Sequence, residues 1–219
     1  MITELHRARL ETVAGRIIAL GARRVLDLGC GDGALALALV AQGLEVTAID
    51  EDRAALVSLA AARARLEPAL AARLTIVEGS LFGVQGLPGR HDVTALVEVF
   101  EHLPPERLGI LEQVLFGSGG APMVVLTTPN ADFNELLGVP AHRMRHPGHR
   151  FEWGQARFAA WAGRVAMAHG YGVEMSPLGA PVAGLGGPSQ MAVFRRAGVD
   201  GAADRDQKGI SSSRSCAGA

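Results

Sequence analysis

Three residues able to hold a cation fall within five positions of the segment Val97-Glu98-Val99-Phe100-Glu101-His102-Leu103. Glu98 interrupts an otherwise apolar run, where a buried carboxylate is costly unless it is paired or bound to metal. A turn at the end of that run would bring Glu101 and His102 round beside Glu98. The bland alternative is a solvated loop in which Glu101 caps a helix, since helix starts favour acids. A second cluster, His142-Arg143-Met144-Arg145-His146-Pro147-Gly148-His149-Arg150-Phe151-Glu152-Trp153, holds three of the seven histidines. His149 is the better ligand there, because Phe151 and Trp153 would anchor it against the core. His146, between Arg145 and Pro147, reads as more mobile and is set aside. The arginines suit phosphate contacts, or the whole segment is a basic, solvated loop. Two carboxylates and two imidazoles fit Mn²⁺, Co²⁺ or Fe²⁺ by ligand preference, although cellular abundance favours Mg²⁺.

A third segment, Asp27-Leu28-Gly29-Cys30-Gly31-Asp32-Gly33, suits a cofactor. Its glycines permit a sharp turn and close approach to a ligand. The spacing is G-x-G-x-G, which departs from the dinucleotide fingerprint G-x-G-x-x-G. An acid leading the loop and a second acid ending the next strand, Asp50, resemble the arrangement in S-adenosylmethionine methyltransferases. Asp50 would then accept hydrogen bonds from the ribose hydroxyls, and Asp27 would lie beneath the loop near the methionine end. Gly29 and Gly31 would line it. Ser80, after the third strand, would bond the adenine or merely hold its own turn.

The elements that must position these groups are legible from periodicity. Leu10, Val13, Ile17 and Leu20 make an amphipathic helix over 3–20. Apolar runs at 24–28, 45–50, 73–78, 91–99, 123–127, 171–176 and 190–196 read as strands, the fifth closed by Thr128-Pro129-Asn130. Helices are expected over 34–42, 52–66, 104–116 and 155–169. Strands that are apolar throughout and alternate with helices indicate a parallel sheet covered on both faces. Ligands of such sheets bind outside the carboxyl ends of the strands. One domain over 1–198 is expected, followed by a polar, Ser/Gly-rich, disordered tail over 199–219.

Composition narrows the classes further. A net charge of −1 excludes a whole-molecule basic field, so any grip on RNA is local. Cys30 and Cys216 form no metal-type pair and no disulfide framework, as in a reducing cytoplasm. No run reaches the roughly 18–20 apolar residues a membrane span needs, and no membrane association is expected.

VEVFEHL, TTPNADFN and RHPGHRFEW, following DLGCGDG in that order, resemble the small-RNA 3′-terminal ribose 2′-O-methyltransferases over about residues 20–197. The bacterial branch is tied to RNA repair and the eukaryotic one to silencing RNAs. The resemblance implies an α/β, Rossmann-like S-adenosylmethionine methyltransferase fold, with a mostly parallel seven-stranded sheet and helices on both faces. It also implies one divalent cation (Mg or Mn) on Glu98, Glu101, His102 and His149, and cofactor contacts from Asp50 and Ser80. RNA 3′ ends are the implied substrate, with a repair kinase or ligase as a partner. Asn130 and Phe133 would position the terminal nucleotide, with Phe133 equally able to belong to the core, and Arg145 and Arg150 would contact its phosphates. Two departures stand out. Gly148 replaces the acid that usually precedes the ligand histidine, which removes an expected hydrogen bond to the metal shell. Gly154-Gln155 replace Thr-Arg after F-E-W.

A cation gripping both terminal hydroxyls would lower the pKa of the 2′-oxygen and select a free RNA 3′ end. Two rivals stay open at this level. One is a methyltransferase for a small catechol-like diol, against which Arg143, Arg145 and Arg150 argue. The other is a non-catalytic RNA-end binding module, which would have no need of Glu98, Glu101 and His102.

Overall fold

A computed structural model describes residues 4–84 and 91–198; the expected tail over 199–219 lies outside them. In chain order the main elements are α1 (Glu4–Ala19), β1 (Arg24–Leu28), α2 (Ala34–Ala41), β2 (Glu45–Asp50), α3 (Arg53–Arg63), the short α4 (Pro68–Ala71) and β3 (Leu74–Glu78). Then follow β4 (Val93–Val97), α5 (Leu108–Phe116), β5 (Met123–Pro129), α6 (Gln155–His169), β6 (Tyr171–Leu178) and β7 (Ser189–Arg196). The strands form one sheet in the order β3-β2-β1-β4-β5-β7-β6, parallel except for β7, which runs against both neighbours. The expected seven-stranded, mostly parallel sheet is therefore present.

Alternate residues of the same strands feed two separate cores. Val25, Val93, Ala95 and Val125 pack with Val13 and Ile17 of α1 and Leu39 and Leu59 of α2 and α3. Leu26, Leu28, Leu96, Val124 and Leu126 pack with Leu111 and Leu115 of α5 and Phe158 and Val165 of α6. Burial on both faces explains why these strands are apolar at every position. One polar residue breaks the rule in β1: Asp27 is 2% exposed. Its cross-strand partners are Ala48 and Ala95, whose small side chains leave room for the carboxyl.

Two boundaries differ from expectation in a way that matters for the site. The fourth strand stops at Val97, so Glu98 is the first residue off the sheet rather than an interruption within it. The fifth strand runs on through Thr128 and Pro129, which pair with Gln190 and Ser189 of β7. The antiparallel neighbour offers ladder partners that no local pattern in residues 123–130 announces. Among the described residues, no helix is long and apolar enough to cross a membrane.

The strand order reverses between β1 and β4: successive crossovers lead from β1 outward to β3, and the chain then returns to β1's other side. The carboxyl ends of these two strands therefore open a crevice, the usual ligand position in an open α/β sheet.

Candidate active site

A cleft of about 440 Å³ occupies that crevice, lined among others by Gly29, Asp50, Leu81, Phe82, Glu98 and His102. At one end lies the glycine loop. Gly29 has φ +72°, and a Cβ there would lie 2.5 Å from the Val99 side chain. Only glycine meets both demands, so the loop after β1 can press against the loop after β4. Asp50 ends β2 and fixes the loop through its carboxylate, which accepts from Gly31 N–H at 2.7 Å and Asp52 N–H at 2.8 Å. Beneath, the Asp27 carboxyl is raised to about 7 by burial and by the charge of Asp50. Its Oδ2 is buried without a hydrogen-bond partner, which suits a cationic ligand above it. The Ser80 hydroxyl accepts from Phe82 N–H and holds the turn that presents Leu81 and Phe82 to the cleft. Arg107 stacks over the Phe82 ring at 5.0 Å.

At the other end stand the acids and imidazoles. Glu98 has φ +55°, the one left-handed non-glycine residue among those described. Such backbone costs on the order of 1–3 kcal/mol and concentrates at functional sites. Thr127 holds it: Glu98 N–H donates to the Thr127 carbonyl at 3.2 Å and to its Oγ1 at 3.1 Å, and Thr127 Oγ1 donates to Glu98 Oε1 at 3.0 Å. Arg9, reaching across from α1, pairs with Glu98 Oε2 at 3.2 Å. Burial nonetheless raises the Glu98 pKa, against the pull of Arg9 and Thr127. Glu101 is fully buried, and Thr128 Oγ1 donates to its Oε2 at 3.0 Å. Its pKa rises to about 8 through burial and the neighbouring Glu98 charge. Glu101 Oε1 has no hydrogen-bond partner and lies 3.9 Å from His149 Nε2.

The two halves are tied together by aromatic packing. Phe100, between the two glutamates, meets Phe151 and Trp153 at 5.1 Å each, and Arg150 N–H donates to the Glu101 carbonyl at 2.7 Å. His149 is 8% exposed, and its ring centroid lies 4.8 Å from that of His102. Thus Glu98 and His102 line the cleft, and beside it Glu101 lies 3.9 Å from His149, whose ring meets that of His102. A buried, unpartnered carboxylate oxygen facing an imidazole nitrogen is a donor set that fits a divalent cation. The hydrogen bond feared lost at Gly148 is supplied from the other side, because His149 Nδ1–H donates to Glu152. A carboxylate there fixes the tautomer and leaves Nε2 as the ligand atom.

Three expected substrate contacts have other duties. Asn130 is 0% exposed; its amide donates to the Leu185 and Gly187 carbonyls, and its Oδ1 accepts from Asp132 N–H. Phe133 is buried. The Arg145 guanidinium donates to the Pro188 and Asn130 carbonyls and to Asn134 Oδ1, bracing the same loops. Three of its five N–H groups are thus spent on internal acceptors, a bracing role that the sequence did not announce. Arg150 is exposed. Gly154 likewise has a local reason: the Asp132 carboxylate fills the space a Cβ would need and accepts from Gln155 N–H at 2.8 Å, capping α6 from a distant segment.

Sequence reasoning missed Arg9, Thr127, Thr128 and Glu152, and set aside His146. Glu152 could have been found from its place three residues after His149. Arg9 carried no signal, since nothing in α1 announces that it reaches Glu98.

The family described as "Methyltransferase domain" matches residues 26–115. A protein of Gallus gallus named small RNA 2′-O-methyltransferase is 34% identical over 87% of this chain and 53% of its own length. The chain spans about half the length of the curated relatives it matches. Among solved structures, the methyltransferase domain of bacterial CtHen1 is 31% identical, with a TM-score of 0.78 over 88% of this chain and 100% of that one. A chain from the Pnkp1/Rnl/Hen1 RNA repair complex shares the fold at 22% identity and a TM-score of 0.65, over 90% of this chain and 42% of that one.

Proposed function

This chain belongs to the small RNA 2′-O-methyltransferase family, and we propose that it transfers a methyl group from S-adenosylmethionine to the 2′-hydroxyl of the 3′-terminal nucleotide of RNA. The observation that carries this reading is the Glu101 carboxylate, buried and with Oε1 unpartnered, facing His149 beside the cleft that Glu98 and His102 line. When bound, the cofactor supplies an electrophilic sulfonium methyl, and a divalent cation supplies charge that lowers the pKa of a coordinated hydroxyl.

The chain's own residues do the rest. Asp50 accepts from the cofactor's ribose hydroxyls, and Leu81 and Phe82 offer apolar surface to its base. Asp27 places negative charge beneath the cationic end. Glu98, Glu101, His102 and His149 hold the cation, with Thr127, Thr128 and Glu152 fixing their orientation. Holding donor and acceptor in one crevice removes much of the entropic barrier to transfer. Arg150, exposed beside Glu101's backbone, reaches a phosphate of the RNA. Residues 1–198 make up the methyltransferase domain, the cytoplasm is its compartment, and an RNA-repair kinase or ligase is its partner.

The test is methyl transfer from labelled cofactor to a short RNA bearing free 2′- and 3′-hydroxyls, followed by periodate, which spares a methylated end. Transfer to that end and not to 3′-phosphorylated or 2′-deoxy ends is expected. Equal labelling of all three would refute selection by the vicinal diol, and full activity in excess EDTA would remove the cation.

A further inference from the structure

We propose that His146 is a third imidazole donor to the cation when no RNA end is bound, joining His102 and His149 and tilting the RNA-free site toward nitrogen-preferring ions. The inference rests on the metal reading above and adds to it a ligand that reading does not use. His102, His146 and His149 each place a ligand atom within 4.8 Å of the others. Ligands about 2.0–2.1 Å from a shared ion lie at most about 4.2 Å apart, so only a small inward swing is needed. His102 and His146 are exposed and have room to make it, while His149 is buried and fixed.

Gly148 organises the trio. Its carbonyl accepts from His102 Nδ1–H at 3.2 Å, leaving the His102 Nε2 lone pair available. Its N–H donates to His146 Nδ1 at 3.0 Å, holding that ring over the site. The His146 ring centroid lies 5.6 Å from that of His102 and 5.5 Å from that of His149. Gly148 is not in the left-handed region, so backbone conformation does not require glycine there. A Cβ at 148 would lie 3.0 Å from His146 Nδ1 and 3.2 Å from His102 Nδ1. A side chain there would therefore shift both rings slightly out of their present poses. Ligation through His146 Nδ1 gives up the Gly148 hydrogen bond, a loss that a metal–nitrogen bond exceeds.

Imidazole donors favour Co²⁺ and Zn²⁺, whereas Mg²⁺ prefers oxygen. The experiment titrates the metal-stripped full chain with Co²⁺ and with Mg²⁺, reading affinity by calorimetry and the Co²⁺ visible spectrum. His146→Ala, at an exposed position, is expected to weaken Co²⁺ by about 10-fold or more, to alter its spectrum, and to leave Mg²⁺ affinity unchanged. Gly148→Ala should reproduce that loss through crowding while His146 is still present. Unchanged Co²⁺ affinity and spectrum in His146→Ala would overturn the third ligand and leave the four-residue site standing. Absence of Co²⁺ and Mg²⁺ binding to the parent chain would instead sink the metal reading itself, and this inference with it.

Discussion

The two ends of the cleft are built differently. The cofactor end is almost a single strand–loop–helix unit, with Gly29 to Gly33 following β1 and Asp50 satisfied by nearby backbone N–H groups. The cation end draws on Arg9, on residues 98–102, on Thr127 and Thr128, and on residues 146–152. Strain and orphaned polarity collect mostly in the second: Glu98 at φ +55° and Glu101 Oε1 without a partner. A region assembled from distant segments can hold groups in poses that no local sequence would choose, because the surrounding packing over-determines them. The lesson is that the two ends should fail independently.

The widest separation is expected from Glu101→Gln, which keeps the shape and the Thr128 contact but removes the charge. Methyl transfer should fall by more than the roughly 10–100-fold that losing an outer partner of a metal ligand costs. Cofactor affinity, measured by calorimetry, should be unchanged. A parallel loss of cofactor binding would mean that the two ends are one unit.

Asp50→Ala probes the opposite end. Charge-assisted hydrogen bonds contribute about 1.5–3 kcal/mol, so cofactor affinity should drop by about 10-fold or more while Mn²⁺ binding holds. A cofactor dissociation constant equal to the parent's would displace Asp50 from the ribose site.

The buried acid of the cofactor end gives a pH signature. The Asp27 pKa is raised in the folded state from 3.8 to about 7. The native state therefore holds a proton that the unfolded chain releases, and stability contributed by this group is lost as pH rises through that window. The slope is at most about 1.36 kcal/mol per pH unit. Urea unfolding of the ligand-free protein between pH 5 and 7 should show a steeper decline for the parent than for Asp27→Asn. Parallel curves would mean that Asp27 titrates normally.

The smallest effect is structural. Asp132→Ala removes the cap that a distant segment places on α6, costing about 1 kcal/mol. The melting temperature should fall by a few degrees, with cofactor and metal affinities intact. An altered metal affinity would show that α6 helps to hold the His149 segment.

These asymmetries also explain what could be read from one dimension. DLGCGDG with Asp50 was legible because one strand, one turn and one helix encode it, and backbone geometry demands the glycines. The E-x-x-E-H segment was legible by chemistry, since a glutamate beside an apolar strand needs a reason. By contrast, Asn130, Phe133 and Arg145 looked like substrate contacts, and the structure turns them inward. A polar residue in a loop can serve a ligand or a neighbouring carbonyl equally well, and only the fold decides which acceptors surround it.

Sequence by itself determined the alternation of strands and helices, the glycine cradle and the residue types able to hold a cation, because each follows from local periodicity or local chemistry. Tertiary structure alone decided that Arg9 answers Glu98, that Asp132 caps α6 across a gap of more than 20 residues, and that His102 joins His146 and His149 round Gly148. Those pairings join segments far apart in the chain, and proximity between such segments is set by how the sheet and its loops pack rather than by any neighbour in sequence.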